Sequence, residues 1–136
     1  MTRLLGASLM VVAVGACAAS VSDHDNRIFS LPASVKLSAS NLSEAYATDR
    51  SSADDRYLGR VLEVSGVVRG RGADGRTVTL AGTEAGPPID ATMHEDVAES
   101  LLATVIGGQR LTVKCFCEGL DQTVRLKSCT APDGPR

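Results

Sequence analysis

Four cysteines are the residues of this 136-residue chain that could support metal binding, thiol chemistry or disulfide formation. Cys115 and Cys117 are separated by one residue, whereas the cysteines of zinc sites are usually separated by about two to four residues. No histidine lies near this pair in the sequence, so the pattern predicts no metal site. Cys17 and Cys129 lie far from the pair, and their chemistry depends on where the chain resides and how it folds.

Cys17 follows a segment that is typical of a secretory signal. Residues 4–14 carry no charge and follow the basic Arg3, and this run is shorter than the about 20 apolar residues of a permanent membrane-spanning helix. The tetrapeptide VGAC at residues 14–17 resembles the bacterial lipoprotein signal, in which small residues precede the cysteine that receives diacylglycerol. The sequence therefore predicts a signal peptide over residues 1–16 and a mature chain that begins at lipid-modified Cys17, with palmitate among its acyl chains.

Two alternatives to lipid modification remain open. Ordinary secretion could cleave the chain at the small residues around Ala16, and the weakly basic start also allows an apolar N-terminus without a targeting role. The lipoprotein interpretation places the protein in the bacterial cell envelope, held to a membrane by lipid and on the periplasmic side if the cell is Gram-negative. In an exported protein, Cys115, Cys117 and Cys129 can form one disulfide and leave one thiol, and spacing alone does not decide the pairing.

Five basic residues form the candidate ligand-binding set. Three lie around a glycine-rich hairpin and two on the outward face of the last predicted strand: Arg69, Arg71, Arg76, Arg125 and Lys127. Such a set could bind the phosphates of a nucleic acid, a lipid headgroup or a glycan. Asp74, Glu118 and Asp121 lie nearby in the sequence and dilute the positive charge, so a solvated loop and a charged strand face are the competing interpretation.

Two segments match all or part of a known binding or catalytic motif, but the residues around each of them do not fit that function. GRGADG at residues 70–75 fits the dinucleotide-binding fingerprint, but a strand follows it where a helix is needed. His94 and Glu95 begin like the zinc-binding H-E-x-x-H motif, but Ala98 replaces the second histidine, so His94 is expected to be exposed in the first turn of a helix. No acid, base and nucleophile can be named together, and we predict that the protein is not an enzyme and needs no cofactor.

Composition narrows the class of protein. Hydrophobic residues make up 43% of the chain and charged residues 22%, values typical of a folded soluble domain and not of a disordered or multi-span membrane protein. Aromatic residues make up 3%, tryptophan is absent, and the isoelectric point is about 5.6. These values disfavour a nucleic-acid-binding protein, which usually needs stacking platforms and a basic surface.

Hydrophobic periodicity predicts a helix followed by a β-rich domain. Residues 18–37 are polar and irregular, so they are predicted to be a flexible tether in which His24 is solvated. Residues 38–57 are predicted to be helical in one or two pieces. Alternating patterns then predict five strands, with a helix over residues 93–106 between the third and the fourth: 60–68, 77–80, 89–92, 110–117 and 123–129.

This order of elements fits a mainly β fold. The pattern predicts a five-stranded OB-fold barrel with an N-terminal helix and a helix between strands 3 and 4. The domain is predicted to span residues 38–131, followed by a short tail over residues 132–136.

Several segments of this region resemble a known family. The resemblance to the tRNA-anticodon-like OB-fold family of small bacterial envelope proteins rests on ADDRYLGRVLEVSGVV at 53–68, GQRLTVK at 108–114, CEG at 117–119 and LKSC at 126–129. It implies an OB barrel, often behind a lipoprotein or secretory signal, with no established enzymatic activity. The family name records similarity to anticodon-binding barrels and does not demonstrate RNA binding.

The resemblance also implies a disulfide between Cys117 and Cys129, which match the two cysteines of the family. This chain departs from the family pattern at Cys115, where glycine is usual. In a regular hairpin Cys117 would lie far along the ladder from Cys129, so a bulge is required before they can bond. Pairing of Cys115 with Cys129, or three reduced thiols, are the alternatives.

Together these observations predict a non-enzymatic binding module anchored in the envelope. The membrane is the expected partner at the N-terminal lipid, and an envelope protein, glycan or small ligand is expected to bind the first hairpin loop and the face of strands 2 and 3. The alternative is an oligonucleotide-binding OB domain that uses Arg69, Arg71 and Arg76, although composition makes nucleic acid the less favoured partner.

Overall fold

A computed structural model of the chain describes residues 24–132. After a 3-10 turn at Asn26–Phe29, its helices and strands are, in chain order: β1 Val35–Ser38, α1 Ala39–Thr48, α2 Arg50–Tyr57, β2 Val61–Arg71, β3 Thr77–Leu80, β4 Ile89–Met93, α3 Glu95–Leu102, β5 Arg110–Asp121 and β6 Thr123–Thr130. None of the helices in residues 24–132 is long and apolar enough to cross a membrane.

Five strands form a closed barrel. They pair in the order β2-β3-β4-β6-β5, and β5 pairs again with β2, so that the sheet closes on itself. β4 and β6 are parallel neighbours, the other barrel pairs are antiparallel, and α3 connects β4 to β5. The predicted OB-fold barrel, with a helix before it and a helix between its third and fourth strands, is confirmed.

Alternation along the strands fills the barrel interior with small and medium apolar side chains. The following residues are buried in one core cluster: Leu62, Val64, Val68, Val78, Leu80, Ile89, Ala91, Met93, Val113, Cys115, Cys117, Val124, Leu126 and Cys129. Gly66 belongs to the same inner face of β2, where a Cβ atom would lie 2.6 Å from the Cβ of Ala39 in α1. Glycine at this position therefore lets α1 pack directly on the barrel.

The N-terminal segment is part of the folded domain. Ile28 is fully buried and packs with Val61 and Phe116 on the outside of the barrel. The Lys114 ammonium donates a hydrogen bond to the carbonyl of Leu31 at 2.9 Å, and β1 adds to the edge of β2 as a parallel strand. The prediction of a flexible tether is therefore wrong for residues 24–37. Apolar side chains of this segment cover the outward face of Phe116, but their spacing is too irregular to show a period in the sequence. The predicted domain start at residue 38 is wrong for the same reason.

Several other predictions fall outside the described residues. The signal peptide, lipid-modified Cys17 and the tether over residues 18–23 precede them, and residues 133–136 of the tail follow them.

The disulfide joins Cys115 to Cys129, with the two Cα atoms 4.2 Å apart. The pairing of Cys117 with Cys129 implied by the family resemblance is therefore wrong, and Cys117 is a buried free cysteine. Cys117 lies opposite Leu126 in the ladder, three residues from Cys129, a separation of about 10 Å at about 3.3 Å per residue. That distance exceeds the about 7 Å that a disulfide can bridge.

A β-bulge in β6 explains the observed pairing. Lys114 pairs with Thr130 and Phe116 with Lys127, so two residues of β6 lie opposite the single Cys115. Ser128, the first of these two, has a positive φ of 55°, and the register of β6 against β5 shifts by one residue at this position. The bulge brings Cys129 to the inner face of the barrel, where simple alternation from Leu126 would have placed it outside.

Candidate ligand-binding face

The outer face of β3, β4 and β6 carries a polar groove of about 220 Å³. Asp74 reaches the groove from the turn between β2 and β3, and the other lining side chains project outward from the strands, where each lies next to a buried apolar residue of the barrel: Thr77, Asp90, Thr92, Arg125 and Lys127. The ladder sets Thr77 opposite Thr92, and Asp90 opposite Arg125. Hydroxyl, carboxylate and cationic groups therefore meet on one surface, which we call the polar groove.

Hydrogen bonds fix the two carboxylates of the polar groove. Asp90 accepts from the hydroxyls of Thr79 at 2.8 Å and Thr123 at 2.9 Å. Asp74 accepts from the hydroxyl of Thr77 at 2.7 Å and from the backbone N–H of Arg76 at 2.9 Å. The pKa of Asp74 lies below its usual value because the hydrogen bonds from Thr77 and Arg76 favour the ionised carboxylate. These groups are oriented before any ligand arrives.

Each of the two cations of the polar groove has an acidic neighbour at close to 4 Å. An Arg125 guanidinium nitrogen lies 3.8 Å from an oxygen of Asp121, and its side chain is 48% exposed. The Lys127 ammonium lies 3.9 Å from an oxygen of Glu118, and its side chain is 17% exposed. At this distance and exposure the Arg125 pair contributes little stability, so its guanidinium can turn toward a bound ligand at small cost.

A second groove of about 370 Å³ continues along β3 toward the β3–β4 loop. We call it the loop groove, and the residues that line it are Arg69, Thr79, Ala81, Gly82, Thr83, Glu84, Gly86 and Pro88. Thr79 of this loop groove donates its hydrogen bond to Asp90 of the polar groove, so the two depressions adjoin at that pair. Together they form one elongated polar track across the barrel.

A buried serine of α1 holds the loop that forms one wall of the loop groove. Ser43 is fully buried, donates its hydroxyl to the carbonyl of Pro87 at 2.7 Å and accepts from the backbone N–H of Thr83 at 3.1 Å. A Cβ atom on Gly82 or Gly86 would lie 2.4 Å from the same hydroxyl oxygen. The glycines allow the loop to approach α1 closely enough for these bonds to form.

The five predicted basic residues do not form one cluster. Arg125 and Lys127 line the polar groove, and Arg69 lines the loop groove. Arg76 instead lies against His24, with 3.0 Å between Nη1 and Nε2. Arg71 is exposed at the end of β2 and lines neither groove. The threonines of β3 and β4 and Asp90 of β4, which were not among the predicted site residues, were marked only by their outward positions in the alternating pattern.

His94 is buried, contrary to the predicted exposed position. It is 1% exposed and caps α3, because its Nδ1 atom accepts a hydrogen bond from the backbone N–H of Asp96 at 3.0 Å. Its Nε2 atom bonds with the Oδ1 of Asn26 at 2.8 Å, and Phe29 packs against the ring edge. The N-terminal segment therefore covers His94, and within residues 24–132 no group of three or more metal-ligating side chains is present.

Aromatic side chains are absent from the track within the part of the chain that the structure describes. Tyr46, Tyr57 and Phe116 are buried, and Phe29 packs against His94 at the edge of the N-terminal segment. None of these rings lines the polar groove or the loop groove. The track therefore offers hydrogen bonds and charge to a ligand, and no platform on which a base could stack.

Comparison with known proteins places this barrel in a family. The tRNA_anti-like family matches residues 2–130, and the chain belongs to it. A crystal structure of a "putative nucleic acid-binding lipoprotein" from Klebsiella pneumoniae subsp. pneumoniae matches with a TM-score of 0.52 and 16% identity, covering 70% of this chain and 88% of that chain. At this identity the similarity shows a common fold. No curated protein matches the chain.

Proposed function

We propose that this protein is a lipid-anchored envelope module whose barrel binds an elongated polar ligand, best matched by a glycan, along the track. The observation that carries the proposal is the row of threonine hydroxyls, oriented carboxylates and cations in the two grooves, which adjoin at Thr79 and Asp90. The ligand would contact the strand face and the β3–β4 loop, and only part of the first hairpin.

The chemistry of the track favours a polyhydroxylated ligand. Hydroxyl groups of a sugar both donate and accept, so they can donate to Asp74 and Asp90 and accept from Arg125 and Lys127. An acidic sugar or a phosphate substituent would add a charge-assisted bond to either cation. A long hydrocarbon chain would have to desolvate the carboxylates without pairing them, which is costly.

Three further features belong to the same proposal. The signal over residues 1–16 and Cys17 support a lipid anchor in the cell envelope, and the Klebsiella protein of the same fold is called a lipoprotein. We also propose that the module acts by binding and not by catalysis, because the sequence offers no recognisable constellation of acid, base and nucleophile.

The ligand is tested by NMR titration of the isotope-labelled protein with soluble oligosaccharides released from the bacterial envelope. We expect backbone shifts confined to β3, β4, β6 and the β3–β4 loop. Arg125→Gln should weaken binding about 10-fold to 100-fold, because a hydrogen bond to a charged group is worth about 1.5 to 3 kcal/mol. The matched control is Arg71→Gln, which removes an exposed arginine that lines neither groove and should leave affinity unchanged. Equal losses in both variants, or shifts away from the track, would contradict the proposal.

Oligonucleotide binding is the second candidate. Arg69, Arg125 and Lys127 all face the track, and the Klebsiella protein of the same fold is named for nucleic-acid binding. A single-stranded oligonucleotide at two salt concentrations separates the candidates, because affinity for phosphates falls steeply with salt. A steep salt dependence, with losses for every arginine variant, would favour this candidate over the glycan.

The anchor has its own test. Intact mass of the full chain purified from a bacterial envelope fraction should correspond to a chain that begins at Cys17 with added acyl mass. An unprocessed chain in the cytosol would refute the envelope location whatever the ligand.

A further inference from the structure

We propose that the corner of the barrel where β2 meets the turn before β5, which adjoins the loop groove at Arg69, binds an anionic lipid bilayer. Ile106 is 69% exposed and Val67 is 38% exposed at this corner. Arg69 and Arg110 are exposed beside them. Exposed apolar side chains next to arginines are typical of segments that lie in the interface of an anionic membrane. We call these four residues the corner patch.

Ile106 is the first residue of a tight turn that hydrogen bonds hold in a defined conformation. The side-chain carbonyl of Gln109 accepts from the backbone N–H of Ile106 at 3.2 Å, and Gly108 donates its N–H to the carbonyl of Val68 at 2.8 Å. Gly108 has a φ of 85°, which favours glycine at this position. The turn is thus fixed to β2, and the exposure of Ile106 follows from a defined conformation.

The charges of the corner patch are complementary to anionic lipid. Arg110 lies directly opposite Val67 in the β2–β5 ladder, and the carbonyl oxygen of Arg69 lies 3.9 Å from the position of a Cβ atom on Gly107. Neither arginine forms a salt bridge with another residue in the range 24–132. Each arginine near an anionic surface contributes about 1 kcal/mol of attraction, which corresponds to about a fivefold effect on binding.

Acidic residues confine the contact to this corner. The exposed face of α3 carries Glu95, Asp96 and Glu99, all in its first two turns and away from Ile106. An anionic bilayer repels these side chains, so the barrel cannot lie flat on α3 and should tilt onto the corner patch.

The short length of chain between Cys17 and the folded domain favours a membrane as the occupant. His24 lies at the first turn of α3, where its Nδ1 accepts from the backbone N–H of Glu95 at 3.2 Å, and α3 has eight residues, a length of about 12 Å. Residues 17–23 can reach at most about 25 Å from His24. This step rests on the proposed lipid at Cys17, which would hold the corner patch within reach of the bilayer.

Tryptophan is absent from the chain, so a single introduced tryptophan reports its own environment. The experiment uses the full chain purified from the envelope and reconstituted into vesicles with and without anionic lipid, carrying either Ile106→Trp or Leu58→Trp. Leu58 is the matched control, because it is 49% exposed and precedes the opposite end of β2. Tryptophan itself favours membrane interfaces, and both variants share this bias.

We expect Trp emission to shift to the blue, and to be quenched by spin-labelled lipid, only for Ile106→Trp and only in anionic vesicles. Adding Arg110→Gln should lower the contact equilibrium about fivefold, and high salt should weaken it further. Equal signals at both positions, or no dependence on lipid charge, would overturn the proposal. A blue shift that grows with protein concentration without vesicles would identify a second copy of the chain as the occupant and would also overturn it.

Failure of the anchor is distinguished from failure of the corner patch. Intact mass of the same sample reports acylation of Cys17 independently. If acylation is absent and the chain does not remain with the vesicles, the same two variants are titrated with anionic vesicles in solution, and the blue shift of the residue-106 variant alone again decides the outcome.

Discussion

The hydroxyl of Tyr46 in α1 donates a hydrogen bond to Asp54 of α2 at 2.8 Å. The sulfur atom of the free Cys117 thiol lies 3.7 Å from the hydroxyl oxygen of Tyr46. The helices α1 and α2, which the sequence predicted only as a helical segment before the barrel, are therefore joined to β5 through the buried phenol of Tyr46. Burial raises the pKa of both Tyr46 and Cys117, because a charged phenolate or thiolate would lose its hydration there.

Stability should consequently fall at alkaline pH. In the unfolded chain these groups ionise near their ordinary values of 9.0 for Cys117 and 10.0 for Tyr46, while the folded protein keeps them neutral. The stabilisation is fully present below pH 9 and is lost as pH rises, by up to about 1.4 kcal/mol per pH unit for each group. Urea unfolding between pH 7 and pH 11 measures this slope. Tyr46→Phe and Cys117→Ala should each flatten it, and an unchanged slope in both variants would contradict the assignment.

The disulfide between Cys115 and Cys129 should stabilise the barrel measurably. Cross-linking residues separated by 14 positions restricts the unfolded chain, and the expected contribution is about 3 kcal/mol. Replacing both cysteines by alanine should lower the free energy of unfolding by this amount, whereas Cys117→Ala should cost less.

Peptide mapping without reduction tests the pairing directly. A peptide containing Cys115 should remain bonded to one containing Cys129, and Cys117 should react with a thiol reagent only after unfolding. A link from Cys117 to Cys129, the pairing of the family pattern, would contradict the structure.

The barrel was predictable because alternation of apolar side chains is set by the two-residue period of a strand, which the sequence displays directly. The disulfide was not, because it depends on one positive φ at Ser128, a non-glycine residue whose side chain gives no sign of it. The hydroxyl of Ser128 accepts a hydrogen bond from the backbone N–H of Asp25, 103 positions away. A bulge stabilised by so distant a partner leaves no local signal.

The candidate site was predictable only in part. Arg125 and Lys127 were found because charged residues alternate with apolar ones in β6, and both do line the polar groove. Arg76 was grouped with them by proximity in sequence, but the segment that contains His24 folds back and occupies it. That Asp90 lies beside Arg125 depends on β4 and β6 becoming neighbours, and no pattern within either strand indicates that pairing.

The hydrogen bonds of the Ser43 hydroxyl, which join α1 to the β3–β4 loop, predict a specific loss of stability. Ser43→Ala leaves the carbonyl of Pro87 and the N–H of Thr83 without their buried partner, at a cost of about 1 to 3 kcal/mol. Ser40→Ala, at an exposed position in the same helix, is the control and should change stability little. Urea unfolding gives the free energy, and faster hydrogen exchange at the Thr83 amide would show that the loop has opened. Equal effects of the two substitutions would mean that the hydrogen bonds of Ser43 contribute nothing to the stability of the domain.

The N-terminal segment should behave as part of the core and not as a tether. Ile28 is fully buried against Val61 and Phe116, so Ile28→Ala should lower the free energy of unfolding by about 2 to 5 kcal/mol. Leu31→Ala, at a residue that is 37% exposed in the same segment, should cost much less. Thermal or urea unfolding of both variants is the measurement. If Ile28→Ala proved as mild as Leu31→Ala, the segment would be a linker after all, and the cover over Phe116 and His94 would be dispensable to the barrel.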